Sequence, residues 1–450
     1  MDRREFLKNS AIVTAGIAIS PAAAAVSGNE KKAPSKDGKL IISAPMLQNY
    51  AENSMGVAFA VSDMANGYVI FGKNPDLSDG VKVKCGGYRV TDINDKVMLV
   101  RLTGLESATK YYYRIGADRI NYEGGYSMHI TGNEEDSTIY SFTTAGAAAA
   151  AHFCVINDTH ASMRTFDSLT RKLRELDPSC VVWNGDATNC EETIDSQVRI
   201  FLTPDIGLKD YAARTPYLFG TGNHDNRGMA NRHNDRVWMF RQPEERLSRD
   251  WDLGRNFAVR MGDIAMIGLD TAEDKMDTNP VFAGLFNSDA YRKAQAVWLE
   301  DALKQPEIAS APFLVAFCHI PIFSSDPTHN PGDVAPADHD PQYSANFAYW
   351  QRLCGKLWGP QLDNAGCQVV ITAHMHQYRY DEPGEGRCWG QIVGGGPSFG
   401  EPVDDGGPTI IDGRIEDGKL HIKVLDLCKG SICGEFTYLP RKKTRKSRKK

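Results

Sequence analysis

Apolar and polar positions alternate with two different rhythms along this chain, and the change comes near residue 145. Before it, between 38 and 144, short alternating runs follow one another: MGVAFAVS (55–62), NGYVIFG (66–72), KVMLVRLTGL (96–105), KYYYRIGA (110–117) and TIYSFTT (138–144). Strands of this length, separated by Gly and Asn turns, predict a β-sandwich of about 100 residues. An Ala-rich junction (145–151) follows.

After the junction, compact apolar runs alternate with helical spacing. HFCVIN (152–157), SCVVWN (179–184), PYLFGT (216–221), PFLVAFC (312–318) and QVVIT (368–372) read as buried strands. Between the first two, Phe166, Leu169, Leu173 and Leu176 recur at helical spacing until Asp177-Pro178 stops the run. Segments 192–203, 228–241, 290–304 and 347–358 are also expected to be helices, and 256–269 a hairpin turning at Gly262-Asp263. The stretch 388–439 is strand-rich, with a second hairpin at Asp417-Gly418. Strands alternating with helices predict a layered α/β domain over 150–439.

Each of the five apolar runs ends in polar residues able to bind metal. They are Asp158 and His160, Asp186 (after Gly185), Asn223 in G-N-H-D, His319, and His374 and His376. Open α/β sheets place ligands at the carboxyl ends of their strands, so the pattern predicts a site as well as a fold. Any one of these histidines alone would pass as an ordinary core or loop residue; order, spacing and context together point to a pair of divalent cations. A two-oxygen carboxylate such as Asp186 can bridge two cations, and the Asn223 amide donates oxygen without adding charge. A site of this kind hydrolyses phosphate esters, with metals about 3.5–4 Å apart acidifying a water.

These blocks resemble the calcineurin-like metallophosphoesterase family, over roughly 150–400. The resemblance implies a four-layered α/β/β/α sandwich. It also implies one metal on Asp158, His160 and His376, another on Asn223, His319 and His374, and Asp186 bridging. Attack by a metal-bridging hydroxide and no covalent phosphoenzyme would follow. His224 looks like the general acid or phosphate contact, and Asp225 would orient its imidazole or simply cap the following helix. The metals would be Mn, Fe, Zn or Co.

The stretch L-x-G-L-x-x-x-T-x-Y-Y-Y-R (102–114) and the closing S-F-T-T (141–144) look like a fibronectin type III module. A sandwich followed by a phosphoesterase resembles the purple acid phosphatase-like branch. Two positions depart from it: His160 is a histidine that branch lacks, and Asn189 stands where its tyrosine ligand would be. Without a phenolate no iron(III) charge-transfer colour is expected.

Residues 2–8 (DRREFLK) resemble a twin-arginine signal, followed by a modest apolar stretch and alanines suited to cleavage near Ala25. A signal peptide over 1–27 implies export of a folded protein to a bacterial periplasm or cell surface; an uncleaved anchor is the alternative. Ten cysteines are scattered without C-x-x-C spacing; Cys154, Cys180 and Cys318 lie within predicted strands, while Cys428 and Cys433 are near enough in sequence to pair.

Net charge is −6, yet the last ten residues carry eight positive charges. Without that tail and the signal, the body stands at −15. Such a body disfavours nucleic acid, so the expected partner is a small phosphate-ester substrate. The tail (440–450) is expected to be solvated and disordered, or to touch an anionic surface weakly. A Pro-, Asp- and His-rich stretch (324–346) and Gly394–Pro397 flank the predicted site as a substrate wall or as plain turns. The reading is therefore an exported metal-dependent phosphomonoesterase. A phosphodiesterase of nucleotides or lipid headgroups is the alternative within the class, and a binding protein with a vestigial metal site is the alternative outside it.

Overall fold

A computed structural model describes residues 38–86, 94–240, 252–323, 341–384, 386–397 and 407–441, excepting the side chains of 341–348. The expected signal peptide, most of the 324–346 stretch and residues 442–450 lie outside the described residues. Among those described, no helix is long and apolar enough to cross a membrane.

The first part is all strand: β1 (Met46–Gln48), β2 (Ser54–Ala60), β3 (Ala65–Gly72), β4 (Val81–Lys84), β5 (Val97–Thr103), β6 (Lys110–Gly124), β7 (Ser127–Glu135) and β8 (Tyr140–Thr143). Next come β9 (His152–Ile156), α1 (Met163–Leu176), β10 (Cys180–Asn184), α2 (Ile194–Phe201) and β11 (Tyr217–Gly220). The hairpin of β12 (Phe257–Met261) and β13 (Ile264–Leu269) leads through α3 (Ser288–Lys304) and α4 (Pro306–Ser310) to β14 (Phe313–Cys318). Then α5 (Pro341–Ala365), β15 (Val369–Thr372), β16 (Arg379–Asp381) and β17 (Gly390–Val393) precede the meander of β18 (Thr409–Glu416), β19 (Lys419–Asp426) and β20 (Ser431–Tyr438).

Two sheets face each other. One runs β20-β19-β18-β9-β10-β11-β1-β2-β5, the other β12-β13-β14-β15-β17-β16. Alternation within each strand builds the layers. Phe153, Val155 and Val182 join Val315, Phe317 and Ile371 in the core between the sheets. Cys154, Ile156, Val181 and Trp183 point the other way, onto Phe166, Leu169 and Leu173 of α1 and Val198 and Phe201 of α2. On the far side Ala265, Ile267, Leu314 and Ala316 pack on Leu299 of α3 and Trp350, Trp358 and Leu362 of α5. The result is helix, sheet, sheet, helix: a metallophosphoesterase-type α/β architecture, as the spacing of the chain predicts.

Helix α1 starts where Ser162 accepts from Thr165 N and stops at Asp177 in the left-handed region before Pro178. The helix expected over 228–241 is instead a short 3-10 segment, Asn231–Arg236, broken by non-helical φ/ψ at His233. The cause is local competition for the backbone: Asn231 Nδ2 donates to His224 O, and Asn234 Nδ2 to Asp225 O.

The N-terminal β region forms two layers, β1-β2-β5 and the sheet β4-β3-β6-β7 with β8 on β6. Its first layer continues the large sheet, because Gln48 pairs in parallel with Tyr217 of β11. Gln48 Nε2 donates to Val237 O, Asn49 Nδ2 to Phe240 O, and Tyr113 Oη to Ala213 O. At the other end, Arg441 donates to the carbonyls of Ala311 and Ala365. The chain is thus anchored one residue beyond the expected start of the basic tail. All ten cysteines are thiols, so Cys428 and Cys433 form no bridge.

Candidate metal centre

Strands β9, β10 and β11 are mutually parallel, as are β13, β14 and β15. Their carboxyl ends converge, and the structure brings all seven sequence-predicted donors together there. The turns after these strands are sharp: φ is 44° at Asp158, 44° at His160, 48° at Asp186, 70° at His374 and 58° at His376. Close approach requires glycine at Gly185, where a Cβ would strike the His319 ring, and at two further neighbours. A Cβ on Gly222 would strike the Asp186 carboxylate, and one on Gly396 would strike His376. The Gly394–Pro397 segment therefore packs on the centre, and is more than a plain turn.

Donor atoms fall into overlapping groups. Asp158, His160 and His376 form one, Asp186, His319 and His374 another, and Asp186 also groups with His160 and His224. His160 Nε2 and His376 Nε2 are 3.1 Å apart, and Asp158 Oδ1 is 3.4 Å from His376 Nε2. Asp186 Oδ2 lies 3.1 Å from His319 Nε2 and 3.6 Å from His160 Nε2, between the two groups. Asn223 Oδ1 sits 3.0 Å from His374 Nδ1. Donors bound at about 2.0–2.2 Å to a shared cation stand about 3–3.5 Å apart, so these separations fit metal coordination.

Two orphans strengthen the fit. Asp158 Oδ1 and His319 Nε2 are buried and, although close to other donors of the cluster, make no well-formed hydrogen bond; a group so placed costs about 1–3 kcal/mol unless something binds it. Outer neighbours aim the rings. His319 Nδ1 is 2.9 Å from Asn184 O, which makes Nδ1 the protonated nitrogen and turns Nε2 inward. His160 Nδ1 meets Asn189 Oδ1 at 3.3 Å with the same effect. Asn157 Nδ2 donates to Asp158 Oδ2 and to Gly395 O, 2.7 Å each.

Burial and neighbouring charge pull the groups of the cluster in opposite directions. Burial would raise the Asp158 carboxyl, but His319, His160 and His376 hold it well below the usual range. Burial pushes His319 down, yet Asp186 and Asp158 lift it to about 10. Burial takes His374 and His224 down to about 4. A donor set of carboxylate, amide and imidazole, without thiolate, suits Mn, Fe, Zn or Co.

His224 stands at the rim, its ring centroid 4.7 Å from that of His160, and its backbone N donates to Asp186 Oδ1 at 2.8 Å. Asp225 does not orient the His224 ring. Its carboxylate accepts from Thr188 N, Thr188 Oγ1 and Gly222 N, tying the G-N-H-D turn to the loop after Asp186. Burial and the nearby Asp186 raise it to about 6. The contact to the ring comes from Arg227, whose Nη1 is 3.3 Å from His224 Nε2. Arg227 is in turn held by Glu273 (2.9 and 3.0 Å) and Asp274 (3.0 Å). Sequence reasoning missed this trio, although Glu273 and Asp274 follow β13 as the recognised donors follow their strands.

Such a strand-end cluster of oxygen and imidazole donors, between two facing sheets, defines a metallophosphoesterase. The family described as calcineurin-like phosphoesterase matches residues 151–378, just over half of the chain. The chain belongs to this family of metal-dependent phosphoester hydrolases. Among solved structures, a purple acid phosphatase from yellow lupin (Lupinus luteus) seeds aligns at 15% identity, TM-score 0.60, over 89% of this chain and 75% of that one. A structure named PhoD aligns at 12% identity, TM-score 0.56, over 91% and 92%. At these identities the likeness is one of fold.

Proposed function

We propose that the protein is a phosphomonoesterase using two divalent cations, one on Asp158, His160 and His376, the other on Asn223, His319 and His374, with Asp186 shared. The observation behind this reading is that Asp158 Oδ1 and His319 Nε2, both buried and without a well-formed hydrogen bond, face other donors of the cluster at separations suited to coordination. Bound cations supply Lewis acidity, which lowers the pKa of water and offsets charge on phosphoryl oxygens. The chain's own residues do the rest. Asn184 and Asn189 fix two ligand rings. His224, its Nδ1 buried and without a hydrogen bond, is placed to contact a phosphoryl oxygen; passing a proton to the leaving oxygen requires the phosphate's negative charge to raise its pKa from about 4. The signal-like residues 2–8 further support a periplasmic or cell-surface location.

The test is turnover of paired aryl phosphate mono- and diesters by the metal-reconstituted protein, beside Asp186→Asn. Metal-dependent monoester turnover, lost in the variant, is the expected result. A dominant diester rate would move the assignment to phosphodiesterase, and inactivity with every divalent metal would sink it. For His224, alanine is expected to slow alkyl phosphates far more than activated aryl ones, by about 10²–10⁴-fold if it is the acid. Equal losses would leave it a phosphate contact.

A further inference from the structure

A cleft of about 600 Å³ opens beside Arg227, the neighbour of His224, and is lined also by Arg232, Arg255, Phe282, Leu285 and Phe286 among others. That is room for a small organic group. Arg227 joins the two sites, touching His224 at 3.3 Å while also lining the cleft. Its charge is matched by Glu273 and Asp274, and Lys275 is paired with Asp274 at 2.7 Å. The other two cations are not matched. Among the described residues neither Arg232 nor Arg255 has an ion pair, and Arg255 donates only to Asn226 Oδ1 at 3.3 Å and lies over the Phe240 ring. The rest of the lining is apolar: the Phe282 and Phe286 rings are 4.8 Å apart, and Val281 and Leu285 are 69% and 78% exposed.

We propose that this cleft is the leaving-group subsite, selecting phosphate esters whose leaving group is an aromatic body bearing a second negative charge. The inference rests on the phosphoesterase reading above. With phosphorus at the donor cluster beside His224, a leaving group directed past Arg227 enters the cleft. There the aromatic pair offers ring faces, and two guanidinium groups without ion pairs, Arg232 and Arg255, offer forked donors matched to a carboxylate or phosphate. A plain ester such as methyl phosphate would use none of these contacts.

Two measurements test it on the full chain. The first compares kcat/KM for 4-carboxyphenyl, phenyl and methyl phosphate with the metal-loaded enzyme. The second is calorimetric binding of 4-hydroxybenzoate, the free leaving group, to metal-free protein. Both are run on wild type, the Arg232→Ala/Arg255→Ala double variant and Phe286→Ala, with thermal melts to verify folding. The carboxylated ester is expected to lead phenyl phosphate by about tenfold, a preference that collapses in the double variant with a similar loss of 4-hydroxybenzoate affinity. Phe286→Ala is expected to lower both aryl esters against methyl phosphate. A wild-type ratio near one, or a ratio and affinity indifferent to the double substitution in folded protein, overturns the subsite. Binding that the double variant loses, in a protein that turns over no phosphate ester, overturns the phosphoesterase reading and leaves the cleft as an aryl-anion site.

Discussion

Five of the seven donors hold left-handed backbones that side-chain-bearing residues avoid, at a cost of about 1–3 kcal/mol each. Strain of this kind persists only where the surroundings enforce it, and here it aims each side chain back across the strand end. At the opposite pole is Asp412, a carboxylate serving the fold. It accepts from His152 Nε2 at 2.8 Å and pairs with Arg414. Burial tends to raise its pKa, but those hydrogen bonds and charges prevail and hold it below the ordinary carboxylate value. A group depressed in the folded state adds stability that is present above its unfolded value, about 3.9, and lost as pH falls through the folded one. Asp412→Asn is therefore expected to lower stability at pH 7 by about 1–3 kcal/mol, with the gap to wild type closing below about pH 4 in denaturant titrations. A gap that stayed constant from pH 7 to 3 would refute this.

At the scale of elements, the strands that deliver the donors were legible because a short apolar run ending in Asp, Asn or His has few other readings. Trp183 shows how closely the core and the site are linked. It is buried on β10, stacks on Phe166 of α1 with centroids 4.7 Å apart, and stands three residues before Asp186. Trp183→Ala should cost about 3–5 kcal/mol, read as a lower denaturant midpoint at unchanged m-value. A loss under about 1 kcal/mol would mean that the site edge repacks freely. What was not legible depends on tertiary partners. Asn231 and Asn234 look acceptable in a helix until His224 O and Asp225 O claim their amides. The joining of β1 to β11 rests on one residue pair with little sequence signal. Arg227 was hidden because its significance depends on Glu273 and Asp274, more than forty residues away.

Across the whole molecule, one sheet extends from β20 to β5 through the strands that deliver four of the seven donors. Distortion at the N-terminal layer thus has a hydrogen-bonded route to Asn223, by way of Gln48 and Tyr217. The thiols turn this architecture into an instrument. Cys154, Cys180 and Cys318 are buried in β9, β10 and β14, each a few residues upstream of a donor turn, whereas Cys190, Cys388 and Cys428 are exposed. A thiol reagent should therefore label in two phases, with the slow phase timing how often the strands beneath the donor cluster open. Ligands that bind only the native state stabilise it by about 2.7 kcal/mol at a hundredfold excess over Kd. Divalent metal is thus expected to slow that phase and leave the fast one alone, and chelator to reverse the change. Equal slowing of both phases would mean that the reagent, rather than the protein, senses the metal. Without any engineered cysteine, the chain holds its own clock for the opening of its candidate metal centre.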